Sequence, residues 1–501
     1  MRFLNETDHY LYGISARFED TESIRRASTL LFTAICTVSA LQEHQGEALF
    51  QLCSLELRRL VSDFVFASAA TVDDFQGLCI ASFWLSDMSW SVSGLAIRRA
   101  FEFQLGHSFQ IVVGDKSVQE GLATKIRFTS QQDALACLRV WYLFFICDHH
   151  LSIIYARPST FGMQATVSDW ERYLNAVPES STDVRIAGQI ELLLLLDKVT
   201  QLLGPNFNTR MPSIFKPQLE SFDQQLDQWV ATWNARYDSY AEIGDFARKA
   251  LTLHYLFSKL FLYSHVFRGL SSNRTQDAMP TEFFNMATSA VTSARSVIDL
   301  VTQDDIMKTA LVAIPHYYHT FVAYACSFLL KVHTEYHNHL GLECEQAFRA
   351  IHQVIILCQS SECASHHLVR WMGAGLQKLA INCRATSLQQ CVQDAHQLEQ
   401  NYTLEPARSA DGFCQRPGHN AEDDDSMSHK TDDKWDLSTE TARSFSGIYQ
   451  QLDPNMDQLM NSNADYANHA STQEMGTVEF QQDWSTIIPA FGSEYMGFGN
   501  R

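Results

Sequence analysis

None of the twelve cysteines in this 501-residue chain form a Cys-x-x-Cys pair. Zinc clusters hold their ions in short loops that carry such pairs, so structural zinc is not expected from these residues. The nearest pairs, Cys358/Cys363 and Cys383/Cys391, fall within helical pattern at unsuitable spacing. Phosphate-cradling Gly-x-x-x-x-Gly-Lys-Ser/Thr, dinucleotide-binding Gly-x-Gly-x-x-Gly and the hydrolase elbow Gly-x-Ser-x-Gly are missing too. Positive charge is scarce: 37 Lys and Arg stand against 57 Asp and Glu, a net charge of -20. Duplex DNA is held by cations that release its counterions, so this balance argues against direct DNA binding. Residues Met1 to Asp8 lack the apolar core of a signal peptide, and export is not indicated.

Acid clusters for metal chemistry are equally thin. Asp73-Asp74 and Asp304-Asp305 lack the third carboxylate that a magnesium-diphosphate site needs, and Asp223 with Asp227 reads as a lone pair on a solvated face. His333 and His337 lie one helical turn apart with Glu335 between them and His339 nearby, but the order is not His-Glu-x-x-His. A solvated helix end is the plainer reading. Catalysis has no candidate residues, and no cofactor is expected in this chain.

Present in quantity is helical periodicity. Leu, Phe, Ala and Ile recur at three- and four-residue spacing from Ser23 to about Gln400, which predicts an all-α fold. Helices are expected at about 22-41, 46-67, 71-85, 89-106, 116-128, 130-156, 182-203, 218-237, 241-269, 281-302, 308-338, 342-361 and 364-400. Thr71 and Asp74 form a capping-box pattern, and Pro158 stops the long helix before it. Breaks at Gly204-Pro205-Asn206, Pro212, Pro217 and Ser271 to Arg274 separate helical blocks without forming long linkers. Leu311 to Leu330 carries no Asp, Glu, Lys or Arg over 20 residues, yet it contains Pro315, His316, His319, Thr320 and Ser327. This reads as a buried helix, not a membrane span. Scattered cysteines such as Cys36, Cys79, Cys137, Cys147 and Cys326 read as buried free thiols.

Composition changes near Glu405-Pro406. From Gly418 onward there are four Lys/Arg against fifteen Asp/Glu, more than half of the chain's negative excess. Apolar side chains recur beside acids at Trp435, Phe445, Asp483-Trp484, Ile487-Ile488 and Phe491. This tail is expected to be largely disordered, because too little apolar surface offsets the cost of ordering it. Acidic-hydrophobic alternation is the composition of an activation segment, and a solubilising tail has similar statistics. The expected organisation is a helical domain over 1-205, its helical continuation over 206-404 and the tail over 405-501.

Two stretches carry a resemblance. Phe75 to Trp84 is followed by Gly94-Leu95-Ala96-Ile97-Arg98-Arg99-Ala100 and then Gln104-Leu105-Gly106-His107. Later come Arg139, Trp141-Tyr142, Asp148-His149, Ser152 and Ala156-Arg157-Pro158. Over about residues 20-165 this resembles the middle regulatory domain of fungal transcription factors of the binuclear zinc-cluster family. Departures are His149 where the family has Arg and Ala156 where it has Gly. The wording at Ile80 to Leu85 and from Trp141 to Pro158 is most similar to the subgroup containing activators of secreted proteases.

The resemblance implies nuclear residence and regulation of RNA polymerase II genes, with the transcription machinery or coactivators as partners. Zinc would enter only through an N-terminal cluster that is not in this sequence. DNA would be reached through such a cluster, or through a homodimer or a heterodimer with a DNA-binding relative. Trp435, Trp484 and Phe491 are the activation-tail candidates. Gly94 and Ala96 are expected to permit close helix approach and Gly106 to take a left-handed C-cap. Arg98, Arg139, Asp148, Arg157 and Pro158 are expected as fold markers, at least one of them buried with a partner. Two other readings stay open: a helical protein-binding cofactor or scaffold, and a helical enzyme or ligand sensor, which would need a deep pocket with converging polar groups.

Overall fold

A computed structural model describes residues 2–114, 128, 130–155, 157–162, 164–178, 180–204, 209–270, 279–340 and 344–403, with backbone alone at 335, 337–340, 344 and 386–403. The helices are α1 (Thr21–Ala27), α2 (Thr29–Leu41), α3 (Glu47–Phe64), α4 (Val72–Trp84), α5 (Ser89–Glu102), α6 (Ser108–Val112), α7 (Gln131–Tyr155), α8 (Ala165–Ser168) and α9 (Trp170–Ala176). They continue as α10 (Ser181–Leu203), α11 (Lys216–Asp238), α12 (Asp245–Ser264), α13 (Phe284–Gln303), α14 (Asp305–Ala310), α15 (His316–Leu340), α16 (Cys344–Ser360) and α17 (Leu368–Thr403). No strand occurs among the described residues. The expected helix over 116–128 and the tail from 405 lie outside them.

Local chemistry explains where these helices begin. Ser28 interrupts the apolar run expected over 22–41: its backbone is extended, its Oγ accepts from Leu31 N–H at 3.1 Å, and α2 starts there. The same hydroxyl donates to Asp74 Oδ1 at 2.6 Å. Asp74 meanwhile closes the capping box with Thr71, accepting from Thr71 N–H at 2.8 Å while Thr71 Oγ1 accepts from Asp74 N–H at 3.2 Å. Two helix starts are thus tied together where α2 packs on α4. Gly77 lets these helices touch, since a Cβ there would sit 2.8 Å from the Leu31 backbone.

Helix α7 is apolar almost all round and is buried accordingly, flanked by α4, α5, α6 and α10. By length and composition it is the one helix among the described residues that could cross a membrane, but 83% of its most apolar window is covered by protein. Around it α10 packs on α11, α11 on α12, α12 on α13 and α13 on α15. Helix α15 returns to touch α7 and α4. Apolar burial of this extent is the main stabilising term.

Pro315 breaks the helix expected over 308–338 into α14 and α15. The break is itself buried, with Leu311 and Ile314 each 2% exposed. Its carbonyls therefore need partners, and distant side chains supply them. Trp84 Nε1 donates to Ala313 O at 2.9 Å, His319 Nε2 to Leu311 O at 2.6 Å and His367 Nε2 to Val312 O at 3.0 Å. Gln42 Nε2 adds a longer bond to Ala313 O at 3.4 Å.

Candidate functional site

Most of the marker residues lie on α7 or on elements that touch it. Arg139 projects from α7 and grips Asp183 in the first turn of α10 with two parallel bonds, Nε to Oδ1 at 2.8 Å and Nη2 to Oδ2 at 2.7 Å. The Tyr173 hydroxyl of α9 donates to the same carboxylate. Asp183 and Tyr173 are fully buried, so a single charge pair with one hydroxyl fastens three helices. Burial lowers the Arg139 pKa, but the Asp183 bonds outweigh it and the guanidinium is held charged above its usual range.

Two turns further along α7, buried Asp148 organises the loop after the helix. Its carboxylate accepts from Ser159 Oγ at 2.6 Å, Thr160 N–H at 2.8 Å, Thr160 Oγ1 at 2.5 Å and Phe161 N–H at 2.9 Å. Phe161 is thereby seated against Trp141, ring centroids 4.5 Å apart, with Phe101 completing the aromatic cluster. Arg157 lies over the Trp90 ring at 4.9 Å. Helix α7 ends at Tyr155, three residues before Pro158. Ala156 lies outside the described residues. His149, in place of the family's Arg, is buried and donates Nδ1–H to Phe145 O at 3.0 Å. Burial pushes its pKa down, so a neutral ring fills this position.

The expected roles of Gly94 and Gly106 are corrected, as is the reading of Asp223 with Asp227. A Cβ on Gly94 would meet nothing within 4 Å, so Gly94 is not a close-approach point, although Ala96 is fully buried; Gly77 on α4 takes that part. Gly106 is not a left-handed cap, because the positive φ of 58° falls on Gln104. Gly106 is small for another reason: a Cβ there would stand 3.0 Å from the Trp141 indole. Arg98 is exposed, whereas its neighbour Arg99 is buried, donates to Ala67 O and Glu102, and lies over the Phe103 ring at 4.9 Å. Asp223 and Asp227 are not a lone solvated pair either. Both pair with Lys259 of α12, the Asp227 contact being 2.7 Å, and Asp227 also accepts from Tyr255 Oη at 2.6 Å.

Two depressions border this region. One of about 210 Å³ lies between the turn at residues 11–17 and helices α4, α7 and α10, with Arg139 in its wall. A wider one of about 510 Å³ lies along α10 and α11, with Trp170, Trp229 and Arg236 among its lining.

The sequence profile of one family, the middle domain of the transcriptional activator of proteases prtT, matches residues 7–378. The chain belongs to this family. A curated relative, the transcriptional activator of proteases prtT of Emericella nidulans, is 31% identical over 375 residues, which is 73% of this chain and 54% of the relative. The match thus spans about half of that protein's length. No solved structure matches.

The family's matched span takes in Arg139, Trp141, Asp148, Arg157 and Pro158 together with the partners found for them. Among the described residues no group of three His, Cys, Asp or Glu side chains is placed to hold a metal ion. His333 donates Nδ1–H to Leu329 O at 2.8 Å, while the side chains of Glu335, His337 and His339 are outside the described residues. The nine cysteines whose side chains are described are free thiols. Burial pushes the Cys137 thiol up to about 12, so it stays protonated and unreactive. Trp435, Trp484 and Phe491 lie outside the described residues. Sequence reading missed Asp183, Tyr173 and Arg99: an acid in a first turn looks like a dipole partner, and nothing local points to an arginine 44 residues earlier.

Proposed function

We propose that this chain is a fungal transcriptional activator acting on RNA polymerase II genes in the nucleus, with secreted-protease genes as the target class. The observation that carries the reading is the family's middle domain across residues 7–378, joined in one chain to the acidic, aromatic segment from 405. The helical body frames and restrains, and the tail recruits coactivators through Trp435, Trp484 and Phe491. The net charge of -20 supports delegation of DNA contact to a zinc cluster outside this sequence or to a DNA-binding partner, through a homodimer or heterodimer.

The test is a reporter assay with the full chain fused to a foreign DNA-binding domain. Activation well above the DNA-binding domain alone is expected, and Trp435→Ala, Trp484→Ala and Phe491→Ala together should remove most of it at unchanged protein level. A silent fusion, or one indifferent to the triple change, would refute the activator reading. A silent fusion that still copurifies with a DNA-binding relative would point instead to a helical cofactor or scaffold.

A further inference from the structure

We propose that the outer face of α3 is a self-association surface, on which a second copy of this chain lays its own α3 in parallel about a two-fold axis. A surface helix ordinarily turns one apolar stripe to the core and a polar face to water. Helix α3 carries two apolar stripes. Phe50, Leu57, Val61 and Phe64 are buried against the body, where α3 packs chiefly on α2. On the other side Leu49, Leu52 and Leu55 are 54%, 66% and 70% exposed, and Phe66, two residues past the helix end, is 90% exposed.

The spacing of this outer stripe points to its occupant. Ala48, Leu52, Leu55, Arg59, Ser62 and Phe66, all exposed, follow one another at alternating intervals of four and three residues. That is the repeat along which two helices stay in register over their whole length, side chains of one entering the gaps of the other. The backbone at Val65 keeps helical φ and ψ of -51° and -41°, so the line runs on toward Phe66. In a parallel pair Leu52, Leu55 and Phe66 each meet the same residue of the second copy. Arg59 is the charged member of the seam, and a polar residue at one such position fixes register at some cost in stability. Its guanidinium is already drawn aside, bonding Glu56 at 2.6 Å and Asp63 at 2.7 Å on its own helix, so two copies meet without bare like charges facing each other.

Area and charge agree. The three leucines and Phe66 together expose about 500 Å² of apolar surface, so a pair brings about 1,000 Å², the apolar share of a standard interface of about 1,600 Å². The acidic segment from 405 is a poorer occupant. This face carries Glu56 and Asp63, and its two arginines are taken, Arg59 by those acids and Arg58 by Asp87. Like charges brought together in this way oppose docking.

The inference gives a surface to the homodimer of the reading above, and rests on that reading only for the use of the pair in gene regulation. The experiment is sedimentation velocity of the purified full chain at about 50 μM, well above a micromolar Kd. A dimer is expected. Leu52→Lys with Leu55→Lys, both largely in solvent in the single chain, should leave helicity unchanged and weaken association by about a hundredfold or more. Ile214→Lys, at an exposed apolar residue elsewhere, should leave the dimer intact. Ser62→Cys should give a disulfide-linked dimer on mild oxidation, because a parallel seam brings the two sulfurs within reach, whereas the wild type, whose Cys53 lies off the seam, should not. A monomeric wild type, a dimer indifferent to the double change, or Ser62→Cys that fails to cross-link would overturn the proposal. A monomer in which the double change makes the segment from 405 easier to cleave would overturn it too, and assign the face to that segment. Because sedimentation involves no reporter, its failure and that of the activator reading are separately visible.

Discussion

Acidification from pH 8 to pH 4 tests the buried histidines of this fold. Burial lowers the pKa of His254, His316 and His319 to about 4, and that of His265 and His367 to about 3. Each would titrate near 6.5 in the unfolded chain. Below pH 6.5 the unfolded state therefore binds protons that the folded state refuses, and stability falls with pH until the folded values are reached. At pH 5 the loss is about 2 kcal/mol per histidine, or about 10 kcal/mol for five. Asp8 works the other way: burial raises its pKa to about 7, so the folded carboxyl gains a proton first and returns about 3 kcal/mol by pH 5. The net loss of about 7 kcal/mol is comparable with the whole stability of an ordinary protein. Ellipticity at 222 nm and tryptophan fluorescence should collapse together between about pH 6 and 4. His316→Gln with His319→Gln keeps a donor near each Nε2 position, for Ser82 O and Leu311 O, and removes two titrating rings. That pair should lower the acid midpoint by several tenths of a pH unit. A wild-type fold intact at pH 4, or an unmoved midpoint in the double variant, would refute the reasoning.

Further outcomes are expected from the α7 contacts. Asp183→Asn leaves Arg139 without its carboxylate; with the guanidinium side chain 31% exposed and partly screened, the cost should be about 2 to 3 kcal/mol in urea unfolding. Gly106→Ala presses a methyl against the Trp141 indole and should destabilise by about 1 to 3 kcal/mol, with a changed tryptophan emission reporting the displaced ring. Asp148→Ala strips the anchors of residues 159–161, so limited proteolysis should cut there well before the wild type is cut.

Much of the helix inventory was legible because an apolar stripe at 3.6-residue spacing is a local signal. Thr71 with Asp74, and the stops at Pro158 and Gly204, are local too. Ser28 was hidden inside an apolar run, where a hydroxyl reads as a tolerated helix residue until its extended backbone is seen. Pro315 was visible, yet a break in a buried segment was not expected, because its carbonyls are met by residues as far away as Trp84 and His367. The site divided the same way. Family wording marked Arg139, Trp141 and Asp148, whereas Asp183 and Tyr173 join Arg139 only through tertiary packing.

The capped corner at residues 311–313 has a bearing on how this protein can be cut for study. Its bonds come from Gln42, Trp84, His319 and His367, so early and late parts of the chain share one knot. A fragment ending near Gly204 would carry an indole N–H and a carboxamide N–H without their acceptor, and the complementary fragment would leave the Ala313 carbonyl bare in its interior. Split halves should therefore be insoluble alone and recover only when coexpressed, and shortened versions are safer trimmed from the tail inward than divided at the midpoint.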